Sequence, residues 1–147
     1  GGTIAGTSKY LREKNSNISI GLADPFGAAM HSYFTKGEIK SEGNSITEGI
    51  GLGRVTPIIK DLSVEHSYRI SDEEALNITF QLLKNEGLCL GGSSGVNVAG
   101  AIRLAKDLGR GHTIVTILCD SGSRYQSKLF NPKFLKSKNL PVPYWLE

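Results

Sequence analysis

The sequence predicts an α/β fold: a mainly parallel, twisted sheet with helices on both faces. Three observations carry that expectation. Strand-like and helix-like segments alternate along the 147 residues, the order that builds a parallel sheet from β–α–β units. Ile114, Val115, Ile117 and Leu118 form a nearly continuous apolar run within His112 to Cys119, the pattern of a central strand covered on both faces. Two glycine-rich turns, Gly1-Gly2-Thr3 and Gly91-Gly92-Ser93-Ser94-Gly95, stand directly before helix-like segments. In a parallel sheet such turns lie at the carboxyl ends of strands, where sites are built.

In chain order, Thr3 to Lys14 predicts a helix, with Ile4, Thr7, Ser8 and Leu11 on one face. Ile18 to Ala23 predicts a strand that Asp24-Pro25 ends. Residues 27 to 66 are rich in glycine and turn residues and hold only short candidate elements. An irregular stretch of that length is usually functional or packed on a neighbour outside the chain. Ser67 to Ile70 reads as a short strand. Ser71, with Glu74 three residues on, forms a capping box for the next helix, whose buried face would be Ala75, Ile78, Leu82 and Leu83, with Gly87 as its terminator. Leu88 to Leu90 reads as a short buried strand. The helix after the second glycine turn would be buried through Val98, Ala99, Ile102 and Ala105, with Gly109 at its end.

Composition excludes some functions. Net charge is only +3, and Lys133, Lys136 and Lys138, the densest basic group, are not interleaved with aromatics. Nucleic acid is therefore not expected as a partner. No apolar run is long enough for a membrane span. Cys89 and Cys119 sit in apolar stretches without metal-ligand spacing. The expectation is two buried, reduced thiols, a cytoplasmic location and no metal. His31, His66 and His112 are isolated in sequence and read as surface or loop residues.

The glycine turns admit two readings. A helix amino terminus presents unpaired N–H groups and partial positive charge, and glycine lets an anion reach the backbone. A close-packed strand-to-helix turn uses glycine equally well, and spacing alone favours that second reading. Ser93 is similarly open between helix cap and ligand contact. Neither turn matches the dinucleotide fingerprint or the P-loop. That counts against the third possibility, a nucleotide-binding module.

The ordered set of motifs decides more than any one of them. Gly1-Gly2-Thr3, Asp24-Pro25, Glu48-Gly49-Ile50-Gly51, Glu86-Gly87-Leu88, Gly91-Gly92-Ser93-Ser94-Gly95 and Asp120-Ser121-Gly122-Ser123-Arg124-Tyr125 follow one another. In this order they resemble the cysteine synthase and cystathionine β-synthase family of fold type II pyridoxal-phosphate enzymes, with its tryptophan-synthase-β-like fold. The resemblance covers essentially the whole chain. It implies the carboxy-terminal part of the larger, cofactor-carrying domain, cut within its phosphate loop. Gly1, Gly2 and Thr3 correspond to the end of the family's Gly-Thr-Gly-Gly-Thr phosphate loop, and Ser93 to the serine that bonds the pyridine nitrogen. Gly49, Ile50 and Gly51 correspond to the loop beside the substrate, and Asp120 to Tyr125 to a structural marker. The Schiff-base lysine is implied to lie upstream, so no residue of this chain is assigned a catalytic role. Lys9, Lys84 and Lys106 read as surface charges.

The resemblance further implies pyridoxal 5'-phosphate as cofactor and a β-replacement reaction, O-acetyl-L-serine plus sulfide giving L-cysteine and acetate, in a homodimeric parent enzyme. Serine plus homocysteine is the alternative pair, because Asp24-Pro25 and Thr47-Glu48-Gly49 are as similar to the cystathionine β-synthase branch, and Gly53 to Pro57 stretches the usual spacing after the glycine loop. The chain closes at Glu147, without the regulatory domain of some cystathionine β-synthases, which favours the cysteine synthase reading. By itself the chain is expected to be inactive. A non-catalytic anion-binding fragment is the other class of reading.

Overall fold

The two strands of the protein run side by side in the same direction. In the computed structural model, which describes all 147 residues, β1 (Gly21–Pro25) pairs in parallel with β2 (His66–Ile70), Gly21 opposite His66 and Pro25 opposite Ile70. β1 lies three residues beyond the start expected for it. Ile20 N donates to a Glu65 carboxylate oxygen and Ile20 O accepts from His66 N, so regular pairing begins only after Ile20. Asp24-Pro25 does not end the strand, because Phe26 N still donates to Ile70 O at 3.3 Å.

Side chains alternate across the pleat and find helices on both sides. Leu22 packs with Ala5, Ala29, Met30 and Ile59, the core under α1 (Gly2–Lys14) and α2 (Met30–Lys36). Its neighbour Ala23 packs with Ile70, Ala75, Val96 and Ala99, the core under α3 (Asp72–Glu86) and α4 (Gly92–Leu108). A third cluster, Leu76, Phe80, Leu129 and Leu135, receives α5 (Pro132–Ser137) and the chain end, where Trp145 meets Phe80 edge-on at 5.8 Å. No helix is long and apolar enough to cross a membrane.

The polar side of the sheet faces α2. The Asp24 carboxylate accepts from His31 N at 2.9 Å, His31 Nδ1 lies 3.0 Å from Ser67 Oγ, and Arg69 donates to Ser32 Oγ at 2.7 Å. His31 is thus a half-buried helix residue and His66 a half-buried strand residue, and only His112 has the exposed loop position expected of all three. Burial, reinforced by the charges of Arg69 and Lys36, holds the His31 imidazole below its usual pKa. The folded state therefore favours neutral His31. The stability this contributes is complete above about pH 6.5, the unfolded value, and is lost as pH falls through the depressed one. Urea midpoints of wild type and His31→Gln, compared at pH 7.5 and 5.5, should show the larger acid loss in the wild type. Equal losses would remove His31 from the acid response.

Helix ends follow the sequence closely. Ser71 Oγ accepts from Glu74 N at 3.2 Å, and Gly87 closes α3 with φ 70°. The return half of the capping box is absent, because the Glu74 carboxylate pairs instead with Arg103 of α4. Buried faces depart further. α3 buries Ala75, Leu76, Thr79 and Phe80, leaving Ile78, Leu82 and Leu83 half-buried. α4 buries Gly92 to Val96, Ala99 and Gly100, whereas Ile102 and Ala105 are exposed and Val98 is half-buried. Close approach explains this: a Cβ on Gly95 would stand 2.2 Å from Ala75 O, and one on Gly100 2.6 Å from Ala23 Cβ. α4 turns its smallest residues inward so that α3 and β1 can reach its backbone.

Two expected strands are corrected. Leu88 to Leu90 is a link, exposed at Leu88 and Cys89 and half-buried at Leu90, that carries a single antiparallel bridge, Leu90 to Ser121, and Cys89 is exposed rather than buried. His112 to Cys119 forms no strand. No backbone–backbone hydrogen bond reaches residues 112–118, and Val115 is 88% exposed. The segment is held from one side only. Asn97 Nδ2 donates to Ile117 O at 3.0 Å, and Ser94 Oγ both donates to Cys119 O and accepts from Cys119 N. A strand needs a paired neighbour, and β1 and β2 pair only with each other.

Candidate functional site

Parallel pairing brings Pro25 and Ile70 to one edge of the sheet, and the amino ends of α3 and α4 follow there. The segment 45–52 runs along that edge. Asp72, the first residue of α3, accepts from Ser45 Oγ, from Ile46 N at 2.8 Å and from Thr47 Oγ1 at 3.4 Å. Thr47 in turn lies against Gly92, where a Cβ would stand 3.4 Å from its Oγ1. Glu48 pairs with Lys128. Gly49 follows with φ 78° and open space where a side chain would be. Ile50 reaches down into the Ile70, Ala75, Val96 and Ala99 core. Gly51, φ 88°, presses on Ala28 and Pro25 so closely that a Cβ would be 2.8 Å from Ala28 Cβ.

At the far end of this segment Leu52 O accepts from Ala29 N at 2.8 Å, and Leu52 lies beside Gly1, 3.5 Å from where a Cβ would be. Gly1 is thus tied to Leu52 and Gly92 to Thr47. Five Cα steps of about 3.8 Å separate Thr47 from Leu52, at most about 19 Å. The amino ends of α1 and α4 therefore share the carboxyl edge of the sheet, with Gly49, Ile50 and Gly51 between them.

Helices α1, α2, α3 and α4 all begin at this edge, and their first turns differ: α2, which has no side-chain cap, receives the Asp24 carboxylate at His31 N. α3 is neutralised by the Ser71 cap and by Asp72, Glu73 and Glu74. α1 and α4 are capped by glycines, Gly1 and Gly91, with no side-chain cap and no acidic residue in the first turn. The N–H groups of Gly2, Thr3, Gly92 and Ser93 have no partner within the chain. Those are the unpaired, dipole-backed donors that receive anions.

Ser93 and Ser94 separate into two roles. Gly91 is the cap of α4, so Ser93 is not. Ser93 is 4% exposed and its hydroxyl makes no hydrogen bond within the chain, whereas the Ser94 hydroxyl makes two to Cys119. The Asp120 to Tyr125 turn braces the start of α4. Asp120, at φ 45°, accepts from Gly91 N through its carbonyl. Its carboxylate accepts from Tyr125 Oη at 2.6 Å and pairs with Arg124 at 3.3 Å. The hydrogen bond to Asp120 pushes the Tyr125 hydroxyl above its usual pKa. The Tyr125 ring covers Gly91, where a Cβ would be 2.6 Å from Cε2. Sequence reasoning missed Asp72 and Ser94 as edge residues. Asp72 gave no local signal beyond an acidic first turn, because its partners lie more than twenty residues away.

Residues 1–120 match the family model described as pyridoxal-phosphate dependent enzyme. The chain belongs to that family. Among curated relatives it is 48% identical over 146 residues to cysteine synthase 1 of Neurospora crassa, covering 95% of this chain and 39% of the relative. It is 42% identical over 153 residues to cysteine synthase 2 of Schizosaccharomyces pombe, covering 95% of this chain and again 39% of the relative. Among solved structures, an O-acetylserine dependent cystathionine beta-synthase from Helicobacter pylori superposes with a TM-score of 0.78 at 34% identity, over 87% of this chain and 40% of that one. The chain thus spans about two fifths of the length of the proteins it matches.

The edge of this pyridoxal-phosphate family member suits the family's cofactor. A phosphate needs donors without competing carboxylates, which the amino end of α1 offers. A pyridine nitrogen needs a polar partner that is sheltered and not already used, and the unbonded hydroxyl of Ser93, a residue 4% exposed, is one. Lys128, which reaches Glu48 at the edge, is paired with it.

Proposed function

We propose that this chain is the carboxy-terminal part of the cofactor domain of a homodimeric β-replacement enzyme that makes L-cysteine and acetate from O-acetyl-L-serine and sulfide. The observation that carries the reading is Ser93 at the start of α4, a residue only 4% exposed whose hydroxyl is unbonded within the chain, on the same edge as the open amides of Gly2 and Thr3. When bound, pyridoxal phosphate supplies the electron sink that labilises the α-proton and the β-substituent of an amino acid. Gly2 and Thr3 hold the phosphate through N–H groups that need no rearrangement. Ser93 holds the ring nitrogen. A serine hydroxyl is too weak an acid to protonate that nitrogen, which favours elimination and replacement over transamination. Gly49, Ile50 and Gly51 flank the amino acid and limit access of water. The proton-moving lysine is assigned to the remainder of the enzyme.

The cysteine synthases named above support the acetylserine–sulfide pair. The Helicobacter pylori protein supports a second reading with the same amino-acid substrate and homocysteine as the incoming thiol. The decisive measurement is product formation by the full-length enzyme from O-acetylserine with sulfide or homocysteine. Cysteine formation at the higher kcat/KM is expected; a preference for homocysteine selects the second reading, and no product with either thiol ends both. The 147-residue chain alone should give no turnover and no visible absorbance of tightly held cofactor. Turnover by the isolated chain would place the proton-moving group among its own lysines.

A further inference from the structure

We infer that Asp72 is a positioning residue of the site, the clamp that seats the amino side of the glycine segment on the start of α4. The inference rests on the reading of Gly49 to Gly51 as the substrate-side segment. Asp72 stands at the junction of β2 and α3, directly at the carboxyl edge of the sheet. Its two carboxylate oxygens receive the Ser45 hydroxyl, Ile46 N at 2.8 Å and the Thr47 hydroxyl at 3.4 Å. Ser45 Oγ accepts from Thr47 N at 3.0 Å, which folds the three residues around the carboxylate. No other side chain of the protein engages three consecutive residues in this way.

The clamp transmits to the site through Thr47. Its Oγ1 is the nearest atom to a Cβ built on Gly92, at 3.4 Å, with its Cγ2 and Leu129 Cδ1 next at 3.5 Å, and Gly92 directly precedes Ser93. At the other end of the segment, Gly51 and Leu52 are fixed against Pro25, Ala28 and Ala29. Between the two anchors Gly49 has φ 78° and nothing within 4 Å of a built Cβ. Gly49 is therefore free to adjust while its flanks are not. The Glu48–Lys128 pair adds little to this hold, because its side chains are 54% and 41% exposed and such pairs are weak. Releasing Asp72 would let residues 45–48 lift from α4 and carry the amino-acid side of the site with them. The amides of α1 would be untouched.

The test compares Asp72→Ala and Asp72→Asn in the full-length holoenzyme. Asparagine keeps one carboxamide oxygen for Ile46 N and an NH2 group that the Ser45 and Thr47 hydroxyls can accept, so it removes the charge at the start of α3 but preserves the clamp. Asp72→Ala should raise KM for the amino-acid substrate about tenfold, change kcat less than about twofold and leave the visible cofactor absorbance intact, the signature of lost substrate positioning. Amide exchange at Ile46 and Thr47 should accelerate in the same variant. Asp72→Asn should stay within about twofold of wild type in every readout. If Asp72→Ala does not accumulate as folded protein, Ser45→Ala combined with Thr47→Val removes two of the three bonds without altering α3 and must reproduce the KM shift. Equal damage from alanine and asparagine, with cofactor lost alongside, would reduce Asp72 to a helix-end charge and overturn the inference. Unchanged exchange and KM in Asp72→Ala would overturn it as well. If wild type gives no product from O-acetylserine, the proposed function fails, and exchange at Ile46 and Thr47 still decides the clamp.

Discussion

Gly95→Ala should be among the most damaging single substitutions in this protein, lowering stability by about 2–4 kcal/mol. Alanine is the better helix former by ~1 kcal/mol, and Gly95 lies within α4, so local propensity predicts a gain. Packing reverses the sign. The new Cβ would stand 2.2 Å from Ala75 O, 2.9 Å from Ala75 C and 2.4 Å from Thr79 Oγ1. Two of these atoms are backbone and cannot swing aside. The third is already committed, Thr79 Oγ1 donating to Ala75 O at 2.8 Å. α3 and α4 would have to separate, opening the core of Ile70, Ala75, Val96 and Ala99 beneath them, and strain of that kind costs ~1–3 kcal/mol or more. Gly6→Ala is the matched control: its Cβ meets nothing within 4 Å inside α1, so it should stabilise by ~0.5–1 kcal/mol. Urea midpoints of the two variants against wild type give the comparison. A neutral or stabilising Gly95→Ala would show that α3 and α4 are not held at this spacing.

The same contact explains much of what the sequence did and did not disclose. Parallel pairing, helices on both faces and the ends of α3 and α4 follow from local signals: alternation, Ser71, and glycines that stop helices. The buried face of α4 does not, because hydrophobic periodicity weighs residues by size. Val98, Ile102 and Ala105 outrank Gly95 and Gly100 on any apolar scale, yet the glycines sit at the close approach. Val115 and its neighbours fail for a different reason. Their run is apolar enough for an interior strand, but apolar pattern reports an affinity for cover and not the presence of a hydrogen-bonding partner. Here the partners of residues 117–119 are the side chains of Asn97 and Ser94.

At the candidate site the legible part was the set of helix starts. Gly1-Gly2-Thr3 and Gly91 to Gly95 are contiguous and chemically distinctive, whereas the sequence left Ser93 open as a cap and the fold shows both ends without a side-chain cap. The long-range part was silent. Asp72 and Ser45 are 27 residues apart, and Ser94 and Cys119 are 25 apart. Side-chain hydrogen bonds of that span leave no spacing rule to read. Only the folded path of residues 45–52 joins the two glycine turns into one edge.

The neighbouring serines of α4 should separate stability from catalysis. Ser94→Ala removes a hydroxyl that donates to Cys119 O at 2.6 Å and accepts from Cys119 N at 2.7 Å. Both backbone groups would be left without a partner beside a fully buried residue, a loss of ~1–3 kcal/mol. Ser93→Ala removes a hydroxyl that bonds to nothing within the chain, on a residue 4% exposed, so stability should stay within about 0.5 kcal/mol of wild type. If that hydroxyl serves the pyridine nitrogen, kcat/KM of the full-length enzyme should still fall about tenfold or more, the ~1.4 kcal/mol expected of one such hydrogen bond. Ser93→Asp should alter the course of the reaction as well as its rate, because a carboxylate at that position would bring a proton onto the ring. Chemical denaturation and steady-state kinetics on the three variants decide the matter together. A stability loss in Ser93→Ala comparable to that in Ser94→Ala would mean that Ser93 is structural after all. Unchanged kinetics in both Ser93 variants would remove it from the site.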